Sequence, residues 1–84
     1  MNIVWTPSAW EDYLYWQQLD KEKVTKINEL IKDSKRSPFA GIGKPEPLKG
    51  NLKGAWSRRI NQEHRFVYKV VENTIVILQC RFHY

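Results

Sequence analysis

The sequence predicts an α+β fold in which a two-helix hairpin packs on a mainly antiparallel sheet. Three observations predict it. Helical periodicity is confined to a block near the N-terminus, strand-like alternation fills the C-terminal third together with a short run at residues 2–5, and a single Gly- and Pro-rich segment separates the two zones. Eighty-four residues suit one small domain, 1–84. Four Trp, four Tyr and three Phe allow a compact core without disulfides.

Residues 2–5 read as a short strand. Thr6-Pro7-Ser8 then carries two overlapping helix starts: Thr6 as cap with Pro7 at the first helical position, or Ser8 with Glu11 as a capping box. Trp10, Tyr13, Leu14 and Gln17 recur at i, i+3, i+4 and i+7 and carry this helix to about Gln18. Asp20 is the N-cap of a second helix whose buried stripe is Val24, Ile27, Leu30 and Ile31. Leu19-Asp20 leaves almost no linker, so the helices form a tight hairpin.

From Ser34 to Gly54 the composition changes. Four glycines and three of the four prolines lie between Pro38 and Gly54, interleaved with Lys44, Lys49 and Lys53. A loop of this length in a small domain is usually functional. Three strands follow, at about Ala55–Ile60, His64–Val71 and Thr74–His83. Turns at Asn61-Gln62 and Glu72-Asn73 join them into an antiparallel meander. The run Ile75-Val76-Ile77-Leu78 anchors the last five residues in the sheet.

Alternation assigns faces. Phe66, Tyr68 and Val70 point to one side, and Arg65, Val67, Lys69 and Val71 to the other. In the last strand Val76, Leu78, Cys80 and Phe82 share the face under the helices. Ile77, Gln79, Arg81 and His83 share the open face. Arg59 joins that open face through Ser57, while Arg58 is left ambiguous. His64 falls on the core-facing parity, where packing or a backbone hydrogen bond is the expected role. The result is an Arg-rich open face with a His at its edge and a basic loop beside it.

Charge is distributed unevenly. Residues 1–34 carry a net −2 and residues 35–84 a net +7, within an overall +5. A basic half points to a polyanion partner, most often nucleic acid; the alternative is a solvated basic surface that keeps the protein in solution. The single cysteine, Cys80, cannot form an internal disulfide, which suits a reducing cytoplasm. The N-terminal residues lack a basic segment and a long apolar stretch, so neither a signal peptide nor an anchor is expected. No apolar run approaches the roughly 18 residues of a membrane span.

Glu46, flanked by Pro45 and Pro47, is the sole acidic residue between Asp33 and Glu63. It is either charge compensation for its basic surroundings or a general base. His83 is either an exposed bystander or, beside Arg65 and Arg81, a catalyst. Taken together, one carboxylate, one imidazole and several cations match what RNA transesterification needs. That reaction needs a base for the ribose 2′-hydroxyl, cations for the charge developing on phosphate, and an acid for the departing 5′-oxygen. Arg suits phosphate because its planar fork can bond two oxygens. No metal or other cofactor is required, and the carboxylate pairs or Cys/His spacing that would hold a metal are lacking.

Over essentially its whole length the chain closely resembles the YoeB (Txe/YoeB) family of bacterial toxins, in the wider RelE-like superfamily. The carriers are Asp12-Tyr13-Leu14-Tyr15-Trp16, Lys26–Asp33, Gly43-Lys44-Pro45-Glu46-Pro47-Leu48-Lys49 and Trp56-Ser57-Arg58-Arg59-Ile60. Glu63-His64-Arg65 with Val67-Tyr68, and the terminal Cys80-Arg81 with His83-Tyr84, complete the match. The resemblance implies a β-α-α-β-β-β fold with a strongly twisted sheet. It implies a ribosome-dependent mRNA endoribonuclease with Glu46 as general base, His83 as general acid and Arg65 stabilising the transition state. Lys49 and Arg59 would contact phosphate, and Tyr84 would help shape the site. The implied partners are a YefM/Axe-like antitoxin with an acidic, disordered C-terminal segment and a ribosome carrying mRNA, with room for a homodimer and no membrane. The rival readings are a ParE-like gyrase poison, which has no use for Glu46 and His83 as a pair, and a non-catalytic RNA-binding module.

Overall fold

The structure is a computed structural model and describes residues 1–83. Its elements run β1 (Asn2–Trp5), α1 (Pro7–Leu19), α2 (Lys21–Arg36), β2 (Glu46–Pro47), β3 (Trp56–Arg59), β4 (Arg65–Val71) and β5 (Thr74–Gln79), with a 3-10 turn at Gly50–Leu52 before β3. The sheet order is β1-β5-β4-β3-β2. β3, β4 and β5 form the expected antiparallel meander, and β1 pairs in parallel with β5. This is the α+β arrangement expected from the sequence.

Of the two possible starts for α1, Thr6 is the one used. Its side chain accepts the Ala9 N–H with Pro7 at the first helical position, and its hydroxyl also donates to the Ile77 carbonyl at 2.9 Å. One residue therefore caps the helix and ties it to β5. Asp20 caps α2 by accepting from the Glu22 and Lys23 amides, and it alone separates the two helices. At the other hairpin Glu72 adopts a left-handed backbone (φ 56°), which lets a two-residue loop join β4 to β5.

The main core joins Ala9 and Trp16 of α1 and Ile27 and Leu30 of α2 to Phe66, Tyr68, Ile75, Ile77 and Cys80. The predicted stripe of α2 is correct. That of α1 is rotated: Ala9 and Trp16 are buried with Tyr13 packed beside them, whereas Trp10 and Leu14 are exposed. Trp10 instead stacks edge-on with Trp5 at the start of the helix. Removing a side chain such as Phe66 from this core costs about 3–5 kcal/mol.

Two expectations for the last strand fail together. Ile75 and Ile77, not Val76 and Leu78, face the helices, and Leu78 packs on the opposite side against Leu48, Ala55 and Val67. The cause is a bulge: Val67 pairs with Gln79 but Tyr68 pairs with Ile77, so Leu78 is an extra residue. An inserted residue reverses the alternation beyond it. Cys80 is thus in the core as expected, although simple alternation from Ile77 excludes it. The strand also ends at Gln79 rather than reaching His83, and Phe82 is exposed with a left-handed backbone (φ 67°) instead of lying under the helices.

The 34–54 segment is more ordered than its composition suggests. α2 extends to Arg36, and β2 pairs with β3 through Glu46 with Ser57 and Pro47 with Trp56. Arg58, the residue that parity left ambiguous, holds the loop between them. It is fully buried and donates to Asp33 (2.6 Å), to the Tyr68 hydroxyl (3.0 Å), and to the carbonyls of Ser37 (2.6 Å), Ala40 (2.9 Å) and Ile42 (3.1 Å). Gly41 (φ 119°) passes so close to the Asp33 carboxylate that a Cβ there would collide with it. Among the described residues no helix is long and apolar enough to cross a membrane.

Candidate active site

Cross-strand register builds the site. Glu46 of β2 lies opposite Ser57 of β3, Ser57 opposite Val67 of β4, and Val67 opposite Gln79 of β5. Directly opposed residues share a face, so these four form one row across the side of the sheet away from the helices. The next row places Arg59 opposite Arg65. Glu46 and Arg59 therefore stand diagonally on neighbouring strands, with Arg65 one strand further. A short strand, β2, is what brings the Pro-flanked carboxylate to this face; composition alone leaves that segment a loop.

Glu46, Lys49 and Arg59 are exposed. Glu46 and Lys49 line a shallow cleft of about 360 Å³ with Pro47, Leu48 and Leu52. A second cleft, of about 480 Å³, lies beside Arg59 and is lined by Lys26, Lys44 and Gln62 among others. Between them the face is not bare. Leu48, Ala55 and Val67 are buried there in a small second cluster, partly covered by Leu52 and Leu78. This apolar floor lowers the local polarity under the charged rows and strengthens their interaction with an anion.

Arg65 differs from its neighbours in being only 8% exposed. Its Nη1 donates to the carbonyls of Asn61 (2.8 Å), Gln62 (3.1 Å) and His64 (3.2 Å). The guanidinium is thus fixed by the turn between β3 and β4 before any substrate arrives. Asn61 organises the same turn by accepting from the amides of Glu63 and His64.

His83 is exposed and follows Phe82, whose carbonyl accepts the Arg65 backbone N–H at 2.9 Å. The tail therefore leaves β5 but returns to the start of β4, next to the two-Arg row. His64 is on the helix side as expected, stacked edge-on against Trp16 at 4.8 Å, and its Nδ1 accepts the Phe82 N–H at 2.8 Å. A non-glycine residue in Phe82's left-handed conformation costs about 1–3 kcal/mol and persists only where its surroundings hold it.

Arg81 is not on this face. Its guanidinium lies 3.5 Å from the centre of the Tyr15 ring and 4.3 Å from that of Phe82, in a cleft with Glu11, Asp12 and Gln18 of α1. The bulge and the end of β5 carry it to the helix side, off the open face where alternation places it. Asp12 in that region accepts the Cys80 N–H at 3.1 Å; burial raises its pKa, partly offset by that bond and by Arg81. Burial likewise pushes the Cys80 thiol up to about 12, so it is an inert core residue. Tyr84 lies outside the described residues. Among the described residues no three His, Cys, Asp or Glu side chains converge to hold a metal ion.

Alternation thus placed Ser57, Arg59, Arg65 and Gln79 on one face, as the register has them, but left Glu46 in a loop and gave no sign that it joins the row of Ser57 and Gln79. The placement of Glu46 becomes legible only once β2 is recognised as the strand opposite Ser57.

The profile of the family described as "YoeB-like toxin of bacterial type II toxin-antitoxin system" matches residues 5–84. Toxin YoeB of Escherichia coli strain K12 is 60% identical over 84 residues, covering all of both chains. A solved YoeB/ParE toxin from Agrobacterium tumefaciens superimposes with a TM-score of 0.98 at 58% identity, again over all of both chains. YoeB from Staphylococcus aureus has been solved as a dimer and in a YoeB–YefM complex; in the complex its chain is 55% identical, with a TM-score of 0.92, covering all of this chain and 98% of that one. The RelBE2 toxin–antitoxin complex of Mycobacterium tuberculosis, at 24% identity and a TM-score of 0.71, shares the fold.

Proposed function

The chain belongs to the YoeB-like toxins of bacterial type II toxin–antitoxin systems, and from that membership we propose that it is a ribosome-dependent endoribonuclease that cuts mRNA in the A site. The observation that carries this reading is the placement of Glu46, Arg59 and Arg65 on one sheet face, with the tail that bears His83 bonded to Arg65.

In the reaction, Glu46 takes the proton of a ribose 2′-hydroxyl and the 2′-oxygen attacks the adjacent phosphorus. The P–O5′ bond breaks, and His83 delivers a proton to the departing 5′-oxygen, leaving a 2′,3′-cyclic phosphate and a free 5′-hydroxyl. Arg65, held by three carbonyls, aims a cation at the phosphoryl oxygens where negative charge accumulates. Arg59 and Lys49 bind the flanking phosphates, and Tyr84 helps to shape the site. No step calls for a metal or other cofactor. The net charge of +5, concentrated after residue 34, favours a polyanionic substrate and the cytoplasmic ribosome as its carrier.

The partner is a YefM-like antitoxin whose acidic segment orders itself on the basic face, a proposal supported by the YoeB–YefM complex of the Staphylococcus aureus relative. The dimer of that relative supports a homodimer here as well.

Ribosomes carrying a defined mRNA, followed by mapping of new 5′ ends, test the reading. The expected result is a cut confined to the A-site codon. Arg65→Ala loses about 10²–10³ in rate, and Arg65→Lys recovers part of it because an ammonium lacks the two-pronged geometry. Cleavage that does not depend on the ribosome, or none at all with gyrase inhibited instead, refutes it.

A further inference from the structure

The stretch Cys80–Phe82 has left the sheet, yet its paired backbone groups are gripped by side chains and a strand, all but the Arg81 carbonyl by partners distant in sequence. Asp12 accepts the Cys80 N–H, and Trp16 Nε1 donates to the Cys80 carbonyl at 2.8 Å. Gln79 Nε2 donates to the Arg81 carbonyl at 2.9 Å. The Phe82 peptide is held on both sides, its N–H by His64 Nδ1 at 2.8 Å and its carbonyl by the Arg65 N–H at 2.9 Å. His83 is the next residue.

From this geometry we propose that His64 is a positioning residue for cleavage: its Nδ1 fixes the Phe82 backbone in its left-handed conformation and so aims His83 at the substrate. The inference rests on the reading of His83 as general acid. A backbone N–H can only donate, so Nδ1 presents a lone pair and the ring proton is on Nε2. The imidazole packs edge-on against the Trp16 ring at 4.8 Å, and the backbone that carries it is held by Asn61, whose Oδ1 accepts the His64 amide N–H at 2.7 Å. Without the Nδ1 acceptor, a bulky residue at φ 67° relaxes toward the ordinary extended region and carries His83 with it. Displacing a catalytic group by about 1 Å can cost roughly 10²-fold in rate.

Two substitutions separate this role from packing. His64→Phe keeps a ring against Trp16 but has carbon where the acceptor was. His64→Asn loses the ring but sets Oδ1 the same number of bonds from the backbone as Nδ1. Positioning ranks Asn above Phe; packing ranks Phe above Asn. Single-turnover cleavage on programmed ribosomes is measured for the parent, both variants and His83→Gln. In parallel, NMR on the free proteins measures scalar coupling across the Phe82 N–H···Nδ1 bond and exchange of the Phe82 amide.

The expected result is coupling in the parent, faster Phe82 exchange and about 10²-fold slower cleavage in His64→Phe, and recovery of most of the rate in His64→Asn. Equal losses in both variants, the reverse ranking, no loss in His64→Phe, or no coupling in the parent overturns the proposal. If His64→Phe does not fold, the His64→Asn rate and the parent coupling decide. His83→Gln cleaving at the parent rate removes the general-acid reading, and the positioning role with it. A slow His83→Gln beside a fast His64→Phe removes the positioning role alone.

Discussion

Replacing Arg58 by Met tests whether a buried guanidinium, rather than apolar packing, holds the 37–42 loop against the sheet. The side chain is fully buried and makes five hydrogen bonds. Breaking a buried charged pair costs about 3–5 kcal/mol when the partner is left uncompensated. Here the partners are partly protected. Asp33 keeps Arg36 at 2.6 Å and the Ile42 N–H at 2.9 Å, and the Tyr68 hydroxyl still donates to the Pro38 carbonyl. The groups that lose their partner are the carbonyls of Ser37, Ala40 and Ile42, which lie at or near the surface and can take up water. Met also replaces much of the buried volume. The lower end, about 3 kcal/mol, is therefore expected. Against a total of about 5–15 kcal/mol for a domain, that is a large share. With a urea slope of about 1 kcal/mol/M, usual for a small domain, the unfolding midpoint falls by about 3 M at unchanged slope. Arg58→Lys should recover little, since one ammonium cannot reach carbonyls spread over the loop. A midpoint shift below about 1 M in Arg58→Met would refute the reasoning and assign the loop's order to Phe39 stacking on Trp56 instead.

Acid should destabilise the protein through Asp33, whose carboxyl is held well below the usual carboxylate range by Arg36 first, then by the Ile42 N–H and Arg58. Its folded pKa is lowered, so the unfolded chain binds more protons below about pH 4 and stability falls as pH drops through that window; unfolding midpoints of Asp33→Asn should show a shallower acid limb, and an unchanged limb would exclude Asp33 as its source. Asp12 has the opposite sign, because its raised pKa makes stability fall as pH rises just above about 4, and Asp12→Asn should remove that decline. Cys80, buried and raised to about 12, should resist thiol reagents in the native protein and react in urea along the unfolding curve; rapid native labelling would show that the end of β5 opens locally.

Much of the fold was legible because its signals are local. Thr6-Pro7 and Asp20 are helix starts whose chemistry acts within three residues, and the α2 stripe and the Glu72-Asn73 turn depend on periodicity within a single element. Arg59 and Arg65 were placed correctly for the same reason: each lies in a regular strand counted from a neighbour. What failed depends on pairing between distant segments. The bulge at Leu78 follows from how β5 registers against β4, and nothing in Ile75–Gln79 announces it. β2 is two residues long and exists because β3 offers it an edge.

By itself the sequence determined the order of the helices and of every strand but β2, the kinds of groups available for chemistry and the family, since composition, caps and motif spacing are carried within short stretches of chain. Tertiary structure alone decided where the ends of those stretches meet. It buried Arg58 as an anchor while leaving Arg59 exposed, sent Arg81 to the helices, and bent Cys80–Phe82 out of the sheet under the grip of Asp12, Trp16, His64 and Arg65. The physical reason is that the burial of Arg58 and the path of Cys80–Phe82 satisfy polar groups through partners far away in sequence, and Arg81 meets Tyr15 across the fold; such pairings have no local signature until the chain has folded.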